Sequence, residues 1–354
     1  MNGQKVRFSL FTGTDPDYNQ SKRSIAPHVM GDNREDRVMD VYYIGIDLGG
    51  TNVAAGLTDE TGRLLGKFSR PTPRGAEAVA DAIAQAAREA CRAAGIAPEA
   101  ARSVGVASPG SIDPAAGVVE HAFNLGLDHV SLAQLVEERL SLPALLENDA
   151  NAAALGEFAA GAGKPFRSLV AVTLGTGVGS GAVLDGRLFT GFNYAGMEAG
   201  HMVTHRGGRE CTCGRRGCWE TYASATGLIR STREAMQAHP ESGLWRFAPT
   251  PEAVDGKTAF DAAQAGDAAA RGVVEAYTAD LACGIINLIH LFQPEVLCVG
   301  GGVAKQGDYL LGPVRALADR EEFTRDAARR TRICTAELGN DAGIIGAALL
   351  PLYR

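Results

Sequence analysis

The chain has 354 residues, 45% of them hydrophobic, enough to bury a sizeable core and to favour two lobes. Its 41 acidic and 34 basic residues leave a net charge of −7, so no general field draws it to nucleic acid or to an anionic membrane. No run of about 18 apolar residues appears and no charged-then-apolar leader opens the chain, so the expectation is a globular cytoplasmic protein with no membrane partner.

Residues 1–40 are polar, rich in Asp, Asn, Ser and Pro, and carry neither helical nor strand periodicity. They are expected to form a disordered extension, or to precede a true start at Met30 or Met39. From Val41 the pattern changes. "VYYIGID" predicts a buried strand, "GGTN" a turn, "VAAGLTD" and "GRLLGKF" two more strands, and residues 76–94 a long amphipathic helix. A strand "SVGVAS", a loop at Pro109 and Gly110, a helix near 131–140, a strand "PALLE" and a helix over 150–160 follow.

The second half restarts in the same way. "IGIDLGGTNVAAGL" (44–57) and "VAVTLGTGVGSGAV" (170–183) share their order of apolar, small and polar positions, and "DETGRLL" and "DGRLF" close each unit. The period, about 126 residues, is too long for a solenoid and points to two similar lobes. A helix near 267–292, the strand "EVLCVGG", a helix, the strand "RICTAEL" and the helix "AGIIGAALL" complete an alternating α/β pattern.

Each unit has a glycine-rich turn between strands, with Gly49, Gly50, Thr51 and Asn52 in the first and Gly175, Thr176 and Gly177 in the second. Glycine allows consecutive N–H groups to point into one concavity and bind phosphate oxygens, although an ordinary hairpin has the same composition. Facing each other across a cleft, the two turns would suit a nucleoside triphosphate. No Gly-Lys-Ser/Thr follows either turn and a strand, not a helix, comes next, which excludes the P-loop and dinucleotide-binding classes. Asp47, just before the first turn, is suited to hold Mg²⁺ through water. Gly300, Gly301 and Gly302 at a strand end would let a flat adenine or ribose lie against the backbone.

"LLENDANAAALGE" sets Asn148 and Asp149 where a strand meets a helix. Asp149 is either a helix cap or a carboxylate that accepts a proton from an alcohol; the helix start is expected to keep it ionised. Among seven cysteines, Cys91, Cys283, Cys298 and Cys334 lie singly in apolar runs, where free thiols are usually buried. Cys211, Cys213 and Cys218 instead share a polar loop with His201 and His205. Three thiolates and one imidazole make a closed tetrahedral zinc set, structural in type, with His201 and His205 both open as the fourth ligand. The one-plus-four cysteine spacing is not that of a nucleic-acid finger, although Arg206, Arg209, Arg215 and Arg216 make a local basic patch. Glu198 and Glu220 flank the loop, and two carboxylates with an imidazole N–H can read a polyol.

"DLGGTN", "END", "LGTGVGSG", "EAGH" and "CTCGRRGCWE" occur in the order found in the ROK family of sugar kinases and repressors, and the chain resembles that family from about Tyr43 to its C-terminus. The resemblance implies a two-lobed actin-like ATPase fold (ribonuclease H-like), built from duplicated βββαβαβα units around an interlobe cleft. On that reading residues 41–147 with 338–354 form the smaller lobe, and residues 148–337 the larger lobe with the zinc loop 201–218. It implies an ATP-dependent hexose kinase of glucokinase type, with Asp149 as base and Asn148, Glu198, His201 and Glu220 on the sugar. Asn124 and Gly110 would be further sugar contacts, His201, Cys211, Cys213 and Cys218 the zinc ligands, and the assembly a homodimer or homotetramer. The alternatives are another sugar (N-acetylmannosamine, N-acetylglucosamine, fructose or allose) or a sugar-sensing regulator without turnover. Family repressors carry an N-terminal helix-turn-helix domain of about 80 residues, which the 40-residue polar segment here does not resemble.

Overall fold

The computed structural model describes residues 41–353; the extension assigned to residues 1–40, like Arg354, lies outside the described residues. β1 (Tyr42–Leu48), β2 (Asn52–Asp59) and β3 (Leu64–Pro71) form an antiparallel meander. α1 (Ala76–Ala94) covers β2 and β3 with its apolar stripe, which includes Val79, Ile83 and Ala87. It stops at Gly95, whose φ of 70° permits the left-handed turn that returns two N–H groups to the last helical carbonyls. β4 (Ala101–Ser108) then enters parallel to β1.

A small sheet of β5 (Ser111–Asp113), β6 (Val118–Ala122) and β7 (Leu127–Val130) precedes α2 (Leu132–Leu140). β8 (Ala144–Asn148) pairs with β4 and leads into α3 (Asp149–Ala160). The first large sheet therefore reads β3-β2-β1-β4-β8.

β9 (Leu169–Leu174), β10 (Val178–Leu184) and β11 (Arg187–Phe189) repeat the meander. Four helices follow: α4 (Glu220–Ala223), α5 (Ala225–Ala238), α6 (Leu244–Phe247) and α7 (Thr258–Gln264). α8 (Ala268–Phe292), β12 (Val296–Gly301), α9 (Asp308–Glu321), β13 (Arg332–Thr335) and α10 (Ala342–Tyr353) complete the chain. The second sheet reads β11-β10-β9-β12-β13, the same topology as the first. Sequence periodicity missed β5 to β7, α4, α6 and α7, whose three to seven residues are too short to carry a period; it also missed α5, whose 14 residues do carry an amphipathic pattern.

α10 returns to the first sheet and crosses β1 and β4 at Gly45 and Gly105. A Cβ on Gly45 would fall 1.9 Å from the Ile344 carbonyl oxygen, and one on Gly105 1.8 Å from that of Ala347, so the helix touches strand backbone directly. α3 packs against α10 and against the second sheet, through Leu155 and Ala154 among others. α8 is the one described helix long and apolar enough to cross a bilayer, which the search for an unbroken apolar run did not register. Val273, Tyr277, Leu281, Ile285 and Leu288 bury its stripe in the core of the second half, the arrangement of an internal helix. Among the single cysteines, Cys91 and Cys298 are buried as expected; Cys334 is half-buried, and Cys283 is exposed because its position on α8 faces away from that stripe.

Glu157, buried on α3, fastens the segment that leads into α10. Its Oε2 accepts the N–H groups of Ala162 and Glu337 at 3.0 Å each, and its Oε1 accepts that of Leu338 at 2.8 Å. An amide at this position can accept only through its one oxygen and turns an NH₂ donor towards other donors. Glu157→Gln is therefore expected to lower the unfolding free energy by about 2–3 kcal/mol, measured by urea denaturation, because charge-assisted bonds to buried N–H groups are lost.

Candidate active site

One cavity of about 800 Å³ gathers residues from both sheets. β1 supplies Asp47, α3 supplies Asp149, the β9–β10 turn supplies Gly175 and Gly177, and the end of β12 supplies Gly300, Gly301 and Gly302. Glu198, His201 and Glu220 line it as well. The first turn behaves differently. Gly50, Thr51 and Asn52 are exposed, and neither they nor Gly49 lines this cavity; Thr176 is likewise exposed and outside the lining. The first turn is held in shape by Gly49 N–H to the Asn52 carbonyl (2.9 Å) and by Thr72 Oγ1 donating to the Gly49 carbonyl (2.8 Å). Asn124 stands over it, since a Cβ on Gly50 would come within 2.9 Å of Asn124 Nδ2.

The two readings of "END" separate cleanly in the structure. Asn148, not Asp149, is the helix cap, its Oδ1 accepting the N–H groups of Ala150 (2.9 Å) and Asn151 (3.2 Å). Its Nδ2 donates to the Gly110 carbonyl at 3.5 Å, which sets the "SPG" loop beside the start of α3; Asn148, Asn124 and Gly110 lie outside the cavity lining. Asp149, in the first turn, is open to the cleft, and its Oδ1 accepts the Ala150 N–H at 2.9 Å. The helix start was expected to hold this carboxyl low. Surrounding protein instead raises its pKa, chiefly by desolvation and further by the charge of Glu198, and outweighs the backbone bonds that pull it down.

Asp47 behaves in the same way, pushed up to about 6 by burial first and then by Asp149, with Lys67 opposing. A carboxyl raised from 3.8 stabilises the folded state below its unfolded pKa, and that contribution disappears as pH rises through about 6. Two pH units correspond to roughly 3 kcal/mol. In the absence of magnesium and nucleotide, Asp47→Asn is expected to melt several degrees above the parent at pH 8, the gap closing towards pH 4. Equal melting temperatures at pH 8 would show that burial of this charge costs nothing.

Among the described residues lining the cavity, Lys305 is the only Lys or Arg, against the carboxylates of Asp47, Asp149, Glu157, Glu198 and Glu220. Such a lining repels a bare polyphosphate chain and favours one already neutralised by a divalent cation. Sequence reasoning missed Lys305, Asn340 and Gly343. Only the position of Lys305, just beyond the glycine run, hinted at it, whereas the other two reach the cavity because α10 folds back beside Asp47.

The cysteine loop presses on the same cavity. One ligand atom from each of His201, Cys211, Cys213 and Cys218 lies within 4.8 Å of the others. Cys211 Sγ is 3.6 Å from His201 Nδ1, and Cys213 Sγ is 3.7 Å from Cys218 Sγ. A tetrahedral ion with bonds of about 2.3 Å to sulfur and 2.0 Å to nitrogen has edges of about 3.5 and 3.8 Å, so the donor set fits zinc. His205 is engaged elsewhere, with Nε2 3.3 Å from Asp280 Oδ1 and its ring stacked on Tyr222. Of the basic patch, Arg209 binds Glu234 (2.9 Å) and the Thr221 carbonyl (3.0 Å), Arg216 pairs with Glu210, and Arg215 donates to the His201 carbonyl.

Trp219 links this loop to the core. It is fully buried, donates to the Asp280 carbonyl at 2.8 Å, and fits because residue 284 is glycine: a Cβ there would lie 2.0 Å from the indole. The next residue, Glu220, is thereby held with Oε1 3.0 Å from Cys211 Sγ and its Oε2 against Gly177.

The family model for ROK matches residues 43–353. The chain belongs to the ROK family. It is 39% identical over 308 residues to the glucokinase of Thermotoga maritima, covering 86% of this chain and 95% of that one. It is 33% identical to an N-acetylmannosamine kinase of Salmonella newport, covering 87% and 97%. A ROK family glucokinase from Streptomyces griseus, solved with glucose and AMPPNP, superposes with a TM-score of 0.74 at 35% identity over 88% of this chain and 99% of that one. The two similar sheets of this ROK protein are those of the two-lobed actin-like ATPase fold.

Proposed function

We propose that this ROK protein is an ATP-dependent glucokinase, transferring the γ-phosphoryl group to the 6-hydroxyl of glucose with Asp149 as general base. The observation that carries the reading is one cavity holding a raised-pKa carboxylate, a polyol-type set of Glu198, His201 and Glu220, and two glycine segments suited to phosphate and adenosine. Similarity to the glucokinases of Thermotoga maritima and Streptomyces griseus supports glucose and ATP as the substrates.

Glu198 and Glu220 accept hydrogen bonds from sugar hydroxyls, and His201, with Nδ1 turned to Cys211, presents its other ring nitrogen to the sugar. Asn148 and Gly110 shape the neighbouring loop, and Asn124 reaches the sugar from the first half. The 6-hydroxyl is placed in line with the terminal phosphorus; its proton passes to Asp149 as the new O–P bond forms and the bond from the γ-phosphorus to the β–γ bridging oxygen breaks, releasing ADP and glucose 6-phosphate. In the β9–β10 turn the Gly175 N–H is taken by the Gly177 carbonyl (3.0 Å), and Thr176 and Gly177 donate backbone N–H groups to the phosphates. Gly300, Gly301 and Gly302 seat the adenosine, and Lys305 faces the phosphate tail. Asp47 would hold magnesium through water, and the bound ion would supply charge neutralisation at the phosphates. Closure of the lobes, 41–147 with 338–354 against 148–337, brings Gly49, Gly50, Thr51 and Asn52 onto the nucleotide and excludes water. Zinc on His201, Cys211, Cys213 and Cys218 is structural.

We place the protein in the cytoplasm, as a homodimer or homotetramer, at the entry of hexoses into glycolysis. A coupled ADP-release assay over hexoses and N-acetylhexosamines tests the assignment. The highest kcat/KM is expected with glucose; preference for N-acetylmannosamine would redirect it to the second relative's substrate, and no turnover with any sugar would make it a sensor.

A further inference from the structure

The β6–β7 hairpin carries a second group of metal-type ligands, on a different sheet from the cysteine loop. His121 stands opposite Asp128 across the antiparallel pair, with Nδ1 2.7 Å from Asp128 Oδ1. One position along, His129 Nδ1 lies 2.7 Å from Glu120 Oε2. In regular strands these two pairs would point to opposite faces, because side chains alternate. His129 departs from that geometry with a φ of 49°, left-handed backbone that a non-glycine residue seldom adopts. The two imidazoles meet edge-on with centroids 4.9 Å apart, and one ligand atom from each of Glu120, His121 and His129 lies within 4.8 Å of the others.

We propose that this hairpin binds a divalent transition metal ion through His121, His129 and Glu120, with Asp128 orienting His121 from behind. A carboxylate on Nδ1 leaves the lone pair of His121 on Nε2, the arrangement that supports a ligating imidazole. Two imidazoles and one carboxylate favour Zn²⁺, Ni²⁺ or Cu²⁺ over Mg²⁺ or Ca²⁺, which take mainly oxygen ligands. Bonds of about 2.0–2.1 Å set ligand edges of about 3.4 Å in a tetrahedron. The ligand atoms, all within 4.8 Å of one another, must therefore close by at most about 1.4 Å, which the exposed rings can do by small side-chain rotations. Three ligands leave water on the ion, so the site is weaker than the cysteine set. Its occupancy ties β6 to β7 beneath the loop that carries Phe123 and Asn124.

The test is calorimetric titration of Zn²⁺ into the full-length protein as purified, after its zinc content has been measured. Wild type is expected to take one equivalent per chain beyond that content, with micromolar affinity. His129→Gly removes a ligand and suits the left-handed backbone, so it is expected to fold like wild type and lose that equivalent; His121→Ala is expected to lose it too. Asp128→Asn is expected to weaken it about tenfold. His239→Ala, at an exposed histidine paired with Glu241, is expected to keep it. The same stoichiometry and affinity in wild type, His129→Gly and His121→Ala would overturn the site.

Discussion

Asp149→Asn is expected to lower kcat by a factor on the order of 10² to 10⁴ while sugar affinity stays within a few-fold. Asparagine keeps the side-chain oxygen that accepts the Ala150 N–H, and Asn148 remains the cap, so α3 has no reason to unravel. Only the ability to take a proton is lost. Because desolvation by the surrounding protein and the charge of Glu198 raise the Asp149 pKa, the carboxylate is a better base than an ordinary surface aspartate would be. The acidic limb of the parent's kcat profile is expected to lie above the ordinary aspartate range and to vanish in the variant. Steady-state kinetics against pH, with equilibrium glucose binding on the same preparations, measure both parts. An asparagine variant turning over at the parental rate would remove Asp149 from the chemistry.

Zinc removal is expected to act on sugar binding instead of on kcat. Stripping the ion with a strong chelator, or replacing Cys213 with serine, is expected to raise the sugar KM at least about tenfold and lower the melting temperature, with the ATP KM changed little, since metal binding to such sites is folding free energy. The loop has no regular sheet: isolated bridges join Val203 to Cys218 and Glu210 to Arg216, and turn bonds such as Cys211 N–H to the Arg215 carbonyl (2.9 Å) and Gly217 N–H to the Arg209 carbonyl (2.7 Å) brace it. Without the ion two of the three thiols, Cys211 and Cys218, resist the charged form they need, whereas backbone bonding at Arg215 and the Cys211 side chain favour it at Cys213. Burial and the Glu220 carboxylate push Cys211 up to about 12, and burial also raises Cys218. Ligation must displace those protons, so zinc retention is expected to weaken as pH falls. Freed of its clip, the segment between His201 and Trp219 no longer presents Glu220 and His201 to the cavity. Elemental analysis comes first: less than about half an equivalent per chain, in protein never exposed to chelator, counts against the site. Equal rises in both KM values would mean general unfolding.

Much of this architecture can be read along the chain, and particular residues show why. The helix predicted over 76–94 is the helix observed, because Gly95 ends it and its apolar spacing is long enough to carry a period. The likeness of 44–57 to 170–183 reappears as two sheets of identical strand order, since strand patterns buried on both faces leave little freedom of register. The cluster of His201 with Cys211, Cys213 and Cys218 and the "END" and "EAGH" segments were likewise visible, because each packs its chemistry into a few nearby positions.

What the linear order could not supply depends on distances through space. That His201 and not His205 joins the thiols follows from the stacking of His205 on Tyr222 and its contact with Asp280, residues 17 and 75 positions away. That Asp149 rises in pKa when its place at a helix start argues for a fall follows from protein packed around the cleft and from Glu198, 49 positions on. The same holds for Asn340 and Gly343, which reach the cavity only because α10 crosses back over Gly45 and Gly105. Local patterning determined which elements form and which residue types the site draws upon. Desolvation and charge coupling, which need three-dimensional neighbours, decided what those residues can do.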